Sequence, residues 1–91
     1  MSVTVRIPTP LRTLTGGQDE VSVEGATVAA VIDALEAKHP GLKDRVCDAK
    51  GVRRSVNLYL GEEDVRYLDG LATAVKPGET LSIVPAIAGG R

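Results

Sequence analysis

Leu81-Ser82-Ile83-Val84-Pro85-Ala86-Ile87-Ala88-Gly89-Gly90 is a strand pattern that gives way to small residues. Leu81, Ile83 and Pro85 alternate with Ser82 and Val84, the period of a half-buried strand. After Pro85 the side chains are small, and nothing in them anchors the chain to a core. A folded body over 1–85 and a flexible C-terminal tail over 86–91 follow. Just upstream, Lys76-Pro77-Gly78-Glu79 puts Pro and Gly at the two central positions of a type II turn.

A second period-two run lies near the other end, where Val3, Val5 and Ile7 alternate with Thr4 and Arg6. Pro8 and Pro10 stop sheet pairing there. Gly16-Gly17 offers a turn and Val21-Ser22-Val23 a short return strand, so the pair reads as a hairpin with a long connection. Thr27 is a helix N-cap candidate, since its hydroxyl can accept from an orphan backbone amide. Val28, Val31, Ile32 and Leu35 then form one apolar stripe, and Pro40-Gly41 ends the helix. Leu42 and Val46 suit one short helical turn, and Asp48-Ala-Lys-Gly51 reads as a turn. Val56, Leu58 and Leu60 alternate with Asn57 and Tyr59 as a third strand. Gly61-Glu62-Glu63-Asp64 is a polar turn, and Val65-Arg66-Tyr67 is expected to form a short edge strand.

The order strand, strand, helix, strand, short strand, strand gives an α+β domain, a mixed sheet with one main helix packed on one face. It is the β-grasp order, in which the first and last strands would lie side by side and parallel at the sheet centre, a pairing that periodicity alone does not fix. Ninety-one residues make one domain with a modest core. With no Trp or Phe, that core must be aliphatic. A net charge of -1 argues against nucleic acid as the main partner, because phosphate binding needs a concentrated basic surface. Arg53-Arg54 reads first as a solvated pair. A single cysteine, Cys47, permits no internal disulfide and fits a reducing cytoplasm. No signal peptide or membrane span is visible, so a cytoplasmic protein, monomeric when free, is expected.

The element order, the length and the ending Ile83-Val84-Pro85-Ala86-Ile87-Ala88-Gly89-Gly90 resemble the MoaD/ThiS family of ubiquitin-like sulfur carriers. Gly-Gly alone is a weak signal. It gains specificity by following this strand, at this distance, on a domain of this order. Within the family the chain is most similar to the carrier type of cysteine biosynthesis, through Val3-Thr-Val-Arg-Ile-Pro8, Thr15-Gly-Gly-Gln18, Val65-Arg66, Gly70-Leu-Ala-Thr-Ala74 and Pro85 to Gly90.

That resemblance implies a carrier protein and not an enzyme. Gly90 is the implied sulfur attachment point, and Ala88, Gly89 and Gly90 would thread a narrow channel. A carboxylate is a poor electrophile, because its charge repels nucleophiles. Adenylation gives it a leaving group, and a sulfur donor that displaces AMP leaves a nucleophilic thiocarboxylate. Glycines suit the channel because they lack side chains and accept backbone angles other residues avoid. The span from Pro85 to Gly90, fully extended, reaches roughly 16–18 Å. Implied partners are an E1-like adenylating enzyme, a pyridoxal-phosphate cysteine synthase or another sulfur acceptor, and a JAMM-type metalloprotease. ATP, pyridoxal phosphate and zinc would belong to those enzymes, with no cofactor or metal in this chain. Sulfur delivery to molybdopterin, thiamine or a specialised metabolite is an alternative, and so is a ubiquitin-like protein modifier. The plainest alternative is an interaction module whose glycines are a frayed end.

Arg91 departs from the pattern, since it locks the Gly90 carbonyl in a peptide bond. Three readings stand. A peptidase removes it, or it is foreign to the natural carrier, or activation tolerates it.

Other residues carry weaker signals. His39 at the helix end suits the helix dipole better than catalysis. Cys47 lacks an activating context and reads as a buried or incidental thiol. Glu62-Glu63-Asp64 is a solvated turn before it is a metal site. Tyr59, by alternation, faces away from the core with Arg6, Ser22 and Val84. Incidental exposure and partner docking near the tail are both open for Tyr59, Val84 and Arg6.

Overall fold

The computed structural model describes residues 2–49 and 51–85. The tail expected over 86–91 lies outside the described residues.

Strand β1 (Val3–Arg6) puts Val3 and Val5 into the core and Thr4 and Arg6 on the opposite face. Strand β2 (Glu20–Val23) returns antiparallel, with Val3 opposite Val23 and Arg6 opposite Glu20. The connection between them is not irregular. A 3-10 helix over Thr9–Thr15 fills it, started by Pro10 and stopped by Gly16 at φ +66°. Thr15 is buried there, and its hydroxyl bonds the carbonyls of Arg12 and Gln18.

Helix α1 (Val28–Lys38) begins where the Thr27 hydroxyl accepts from the Ala30 amide at 3.1 Å. Its expected stripe of Val28, Val31, Ile32 and Leu35 is buried, each side chain at most 2% exposed. Full burial of such a side chain contributes about 1.5–3 kcal/mol. Gly25 lets the chain pass close beneath the helix, because a Cβ there would sit 2.7 Å from the Val31 nitrogen. The Glu36 carboxylate accepts from the amides of Gly41 and Lys43, which ties α1 to a short second helix, α2 (Leu42–Val46). Leu42 and Val46 are buried as the spacing required. Two short strands, β3 (Cys47–Asp48) and β4 (Gly51–Val52), pair as a separate two-stranded ribbon.

Strand β5 (Val56–Leu60), β6 (Glu63–Asp64) and β7 (Thr80–Pro85) complete the main sheet, in the order β2-β1-β7-β5-β6. β1 and β7 are parallel neighbours, with Val5 opposite Leu81. The β7 turn forms as expected: the Glu79 amide donates to the Lys76 carbonyl at 3.1 Å, with Gly78 at φ +90°. All other main-sheet pairings are antiparallel. The helix covers one face, and the core is aliphatic. This is the ubiquitin-like β-grasp.

One expectation fails. Val65-Arg66-Tyr67 is a 3-10 helix and not an edge strand. The Asp64 carboxylate caps it by accepting from the Arg66 amide, a short-range bond that competes with sheet pairing. The edge strand is the preceding Glu63–Asp64, inside what reads as a polar turn. Leu60 is also only half-buried, because the edge strand opposite it offers Glu63.

Candidate functional site

The site is built on the end of β7, at Pro85. Pro85, the last described residue, stands opposite Val56, and Val84 stands opposite Asn57. Gly90, Gly89, Ala88 and Arg91 lie outside the described residues.

The open face of the sheet carries the expected docking residues. Directly registered partners share a face, so one row crosses all five strands: Glu20, Arg6, Ser82, Tyr59 and Asp64. Arg6 and Tyr59 therefore flank Ser82 from either side. Val84 lies two residues further toward the tail on the same face and is 38% exposed, which is unusual for a strand valine. Tyr59 is half-buried and Arg6 exposed. Arg6 and Glu20 approach to 4.0 Å, a solvated contact of little stabilising weight.

Arg66 is the residue that sequence reading missed. Its guanidinium donates to the Asn57 side chain at 2.6 Å, to the Arg53 carbonyl at 2.9 Å and to the Val56 carbonyl. It thus clamps the start of β5, the strand that pairs with Val84 and Pro85 of β7. A fork of donors can hold three acceptors in one plane. The available signal was Asp64, a good cap for a short turn that would swing Arg66 inward. Tyr67, next to it, is 88% exposed.

Beside the tail exit lies a hollow of about 300 Å³, bordered by Pro8, Pro10, Leu11, Arg45, Ser55 and Pro85. It is formed where β1 ends in prolines and the 3-10 helix turns away from the sheet.

The remaining candidates are not drawn together with this site. Cys47 is buried in the core cluster, and burial pushes its thiol pKa up, away from a reactive thiolate. His39 donates its amide to the Leu35 carbonyl at 2.7 Å as the cap of α1. Among the described residues no group of His, Cys, Asp and Glu could hold a metal ion, and no helix is long and apolar enough to cross a membrane. The described surface offers a platform around an exit point, with no arrangement of nucleophile, base and acid.

The model of the ThiS family matches residues 5–90. The sulfur carrier protein CysO of Mycobacterium tuberculosis is 50% identical over 93 aligned residues, covering 99% of this chain and 100% of that protein. The crystal structure of the Amycolatopsis orientalis BexX/CysO complex contains a chain with TM-score 0.92 and 50% identity, covering 97% of this chain and 99% of that one. Small archaeal modifier protein 3 of Haloferax volcanii is 39% identical over 67 residues, covering 74% of this chain and 73% of that protein. The β-grasp body, the exit of its last strand and a match that runs through Gly90 have one reading: the chain belongs to the ThiS family.

Proposed function

We propose that this chain is a sulfur carrier that holds sulfur as a thiocarboxylate on Gly90 and delivers it in cysteine biosynthesis. The observation that carries this reading is the likeness to CysO over the full chain, with a family match that includes Gly89-Gly90. The steps balance without a catalytic group on the carrier. The Gly90 carboxylate attacks ATP and releases pyrophosphate. A sulfide-class donor displaces AMP, and one sulfur replaces one carboxylate oxygen. The thiocarboxylate sulfur then attacks an electrophilic carbon on the acceptor enzyme, which joins the product to the carrier, and hydrolysis of the acyl bond by a metalloprotease releases cysteine and restores the Gly90 carboxylate.

The carrier's own contribution is presentation. Ala88, Gly89 and Gly90 enter the channel, while Tyr59, Val84 and Arg6 meet the enzyme outside it. An E1-like adenylating enzyme supplies ATP chemistry, and a pyridoxal-phosphate cysteine synthase accepts the sulfur. A free carrier of this kind works as a monomer, because each partner must reach the same open sheet face. The reducing cytoplasm suits a single, buried thiol. The BexX/CysO complex, with a chain 50% identical to this one, supports docking of such a carrier on a second protein.

A JAMM-type zinc metalloprotease would cleave after Gly90 and free its carboxylate from Arg91. Adenylation needs that terminal carboxylate, and a long cationic side chain does not fit a glycine channel. The test compares forms ending at Gly90 and at Arg91, each given the adenylating enzyme, ATP and sulfide. Mass spectrometry is expected to show an oxygen-to-sulfur exchange on the Gly90 form alone. No exchange on either form rejects the carrier reading, and equal exchange on both rejects the precursor reading.

The likeness to an archaeal modifier protein favours one second reading, a ubiquitin-like modifier joined to lysines through Gly90. Lysine conjugates accumulating in cells would mark it.

A further inference from the structure

We propose that Arg45, Arg53 and Arg54 form a basic collar beside the tail exit, and that it docks on a carboxylate-bearing rim of the enzyme that receives Gly90. This rests on the carrier reading and adds a second docking element to it, away from the open sheet face.

The argument begins with reach. The extended span from Pro85 to Gly90 is at most roughly 16–18 Å, so an enzyme that takes Gly90 deep into its interior comes close to Pro85. The surface around Pro85 then faces that enzyme. On one side it is the apolar hollow of Pro8, Pro10 and Leu11. On the other, Arg45 and Ser55 border the same hollow and also border the next one, which reaches Arg53. Arg53, Arg54 and Ser55 line the hollow beyond that. The three arginines are thus a continuous band leading up to the exit.

The band is positive although the chain carries a net charge of -1. Asp44 and Asp48 also border it, so it is not purely cationic. Among the described residues, however, neither of the described salt bridges involves Arg45, Arg53 or Arg54. Arg53 spends its Nε on the Asp44 carbonyl at 2.7 Å, which fixes its place in the band. Arg45 and Arg54 are exposed, with their charges available. Exposed arginines that outnumber the neighbouring carboxylates fit carboxylates across the interface, where such pairs set encounter rate and orientation.

The test uses the Gly90-ending form and BexX of Amycolatopsis orientalis, with association rates followed by stopped flow. Arg45→Glu/Arg54→Glu is expected to associate about tenfold more slowly at low salt. The gap should close toward about twofold near 0.5 M salt, where screening removes the field. Arg45→Gln/Arg54→Gln should show roughly half the effect on a logarithmic scale, and Arg45→Lys/Arg54→Lys almost none. These side chains are exposed, and thermal unfolding of each variant checks the fold. Equal rates and salt slopes in all forms overturn the collar alone. So does a loss that salt does not diminish. Failure of the unmodified Gly90-ending form to bind BexX also overturns the collar, while oxygen-to-sulfur exchange on Gly90 reports separately on the carrier reading. A rescued rate when a rim carboxylate of BexX is reversed to lysine would identify its counterpart.

Discussion

Arg66 and Asn57 are joined by a 2.6 Å hydrogen bond, and Asn57 stands opposite Val84 on the strand that leads to the tail. The same guanidinium reaches two backbone carbonyls at the start of β5. Removing it takes a donor from all three, although the Arg53 carbonyl keeps the Val56 amide at 3.1 Å. Arg66→Ala is expected to destabilise the protein by about 1–2 kcal/mol, and Arg66→Lys to recover little, because an ammonium lacks the planar fork. Arg6→Ala, whose Glu20 contact is long and exposed, should stay within about 0.5 kcal/mol of the parent. Urea midpoints at constant slope would measure all three. An Arg66→Ala midpoint equal to that of Arg6→Ala would refute the clamp.

Tyr59→Asp and Val84→Asp place a charge on the open face and leave the core untouched. Each is expected to weaken binding to the adenylating and acceptor enzymes about tenfold or more, with unfolding midpoints close to the parent. Calorimetry of each variant against each enzyme decides it. Unchanged affinity for both enzymes removes these residues from the interface.

The start of α1 should be sensitive in a graded way. Thr27→Ala loses the bond to the Ala30 amide, at a cost of about 1 kcal/mol. Gly25→Ala should cost more, about 1–3 kcal/mol, because its Cβ would meet the backbone of Ala30 and Val31. Backbone cannot move aside as a flexible side chain does. Thermal denaturation ranks the two, and the reverse order would contradict the close approach.

Cys47 yields a prediction in pH. Burial raises its folded pKa, so folding favours the neutral thiol. Its contribution to stability is complete below the ordinary thiol range and is lost as pH rises through the raised folded value. The parent should lose stability more steeply than Cys47→Ala in the alkaline range. Alkylation of native protein at pH 8 should be much slower than in denaturant. Equally fast alkylation in both states would mean the thiol is accessible.

Most of the body was legible because its signals are local and agree with one another. The Val28, Val31, Ile32, Leu35 stripe and the Thr27 cap each point to the same helix. The alternation in Val3–Ile7 and Leu81–Pro85 points to two strands, although their parallel pairing came from family resemblance, since periodicity carries no information about neighbours. Val65-Arg66-Tyr67 misled because alternation over three residues is too short to outweigh one capping carboxylate, Asp64. The docking candidates Tyr59, Val84 and Arg6 were legible as a shared face. Arg66 was not, because its three acceptors are main-chain and side-chain oxygens 9, 10 and 13 residues away.

The parallel pairing of β1 with β7 joins Thr4 to Thr80 across nearly the whole sequence. During synthesis on the ribosome, the central strand of the sheet is thus the last of its five strands to emerge. Until it does, β1 and β5 each have an unpaired edge where β7 belongs, a template for aggregation. Contacts this distant in sequence also slow folding, because loop closure must precede them. The same strand that finishes the sheet ends at Pro85, five residues before Gly90, the proposed sulfur attachment point. The last strand needed for the platform and the residue it would present therefore come from one short stretch of chain.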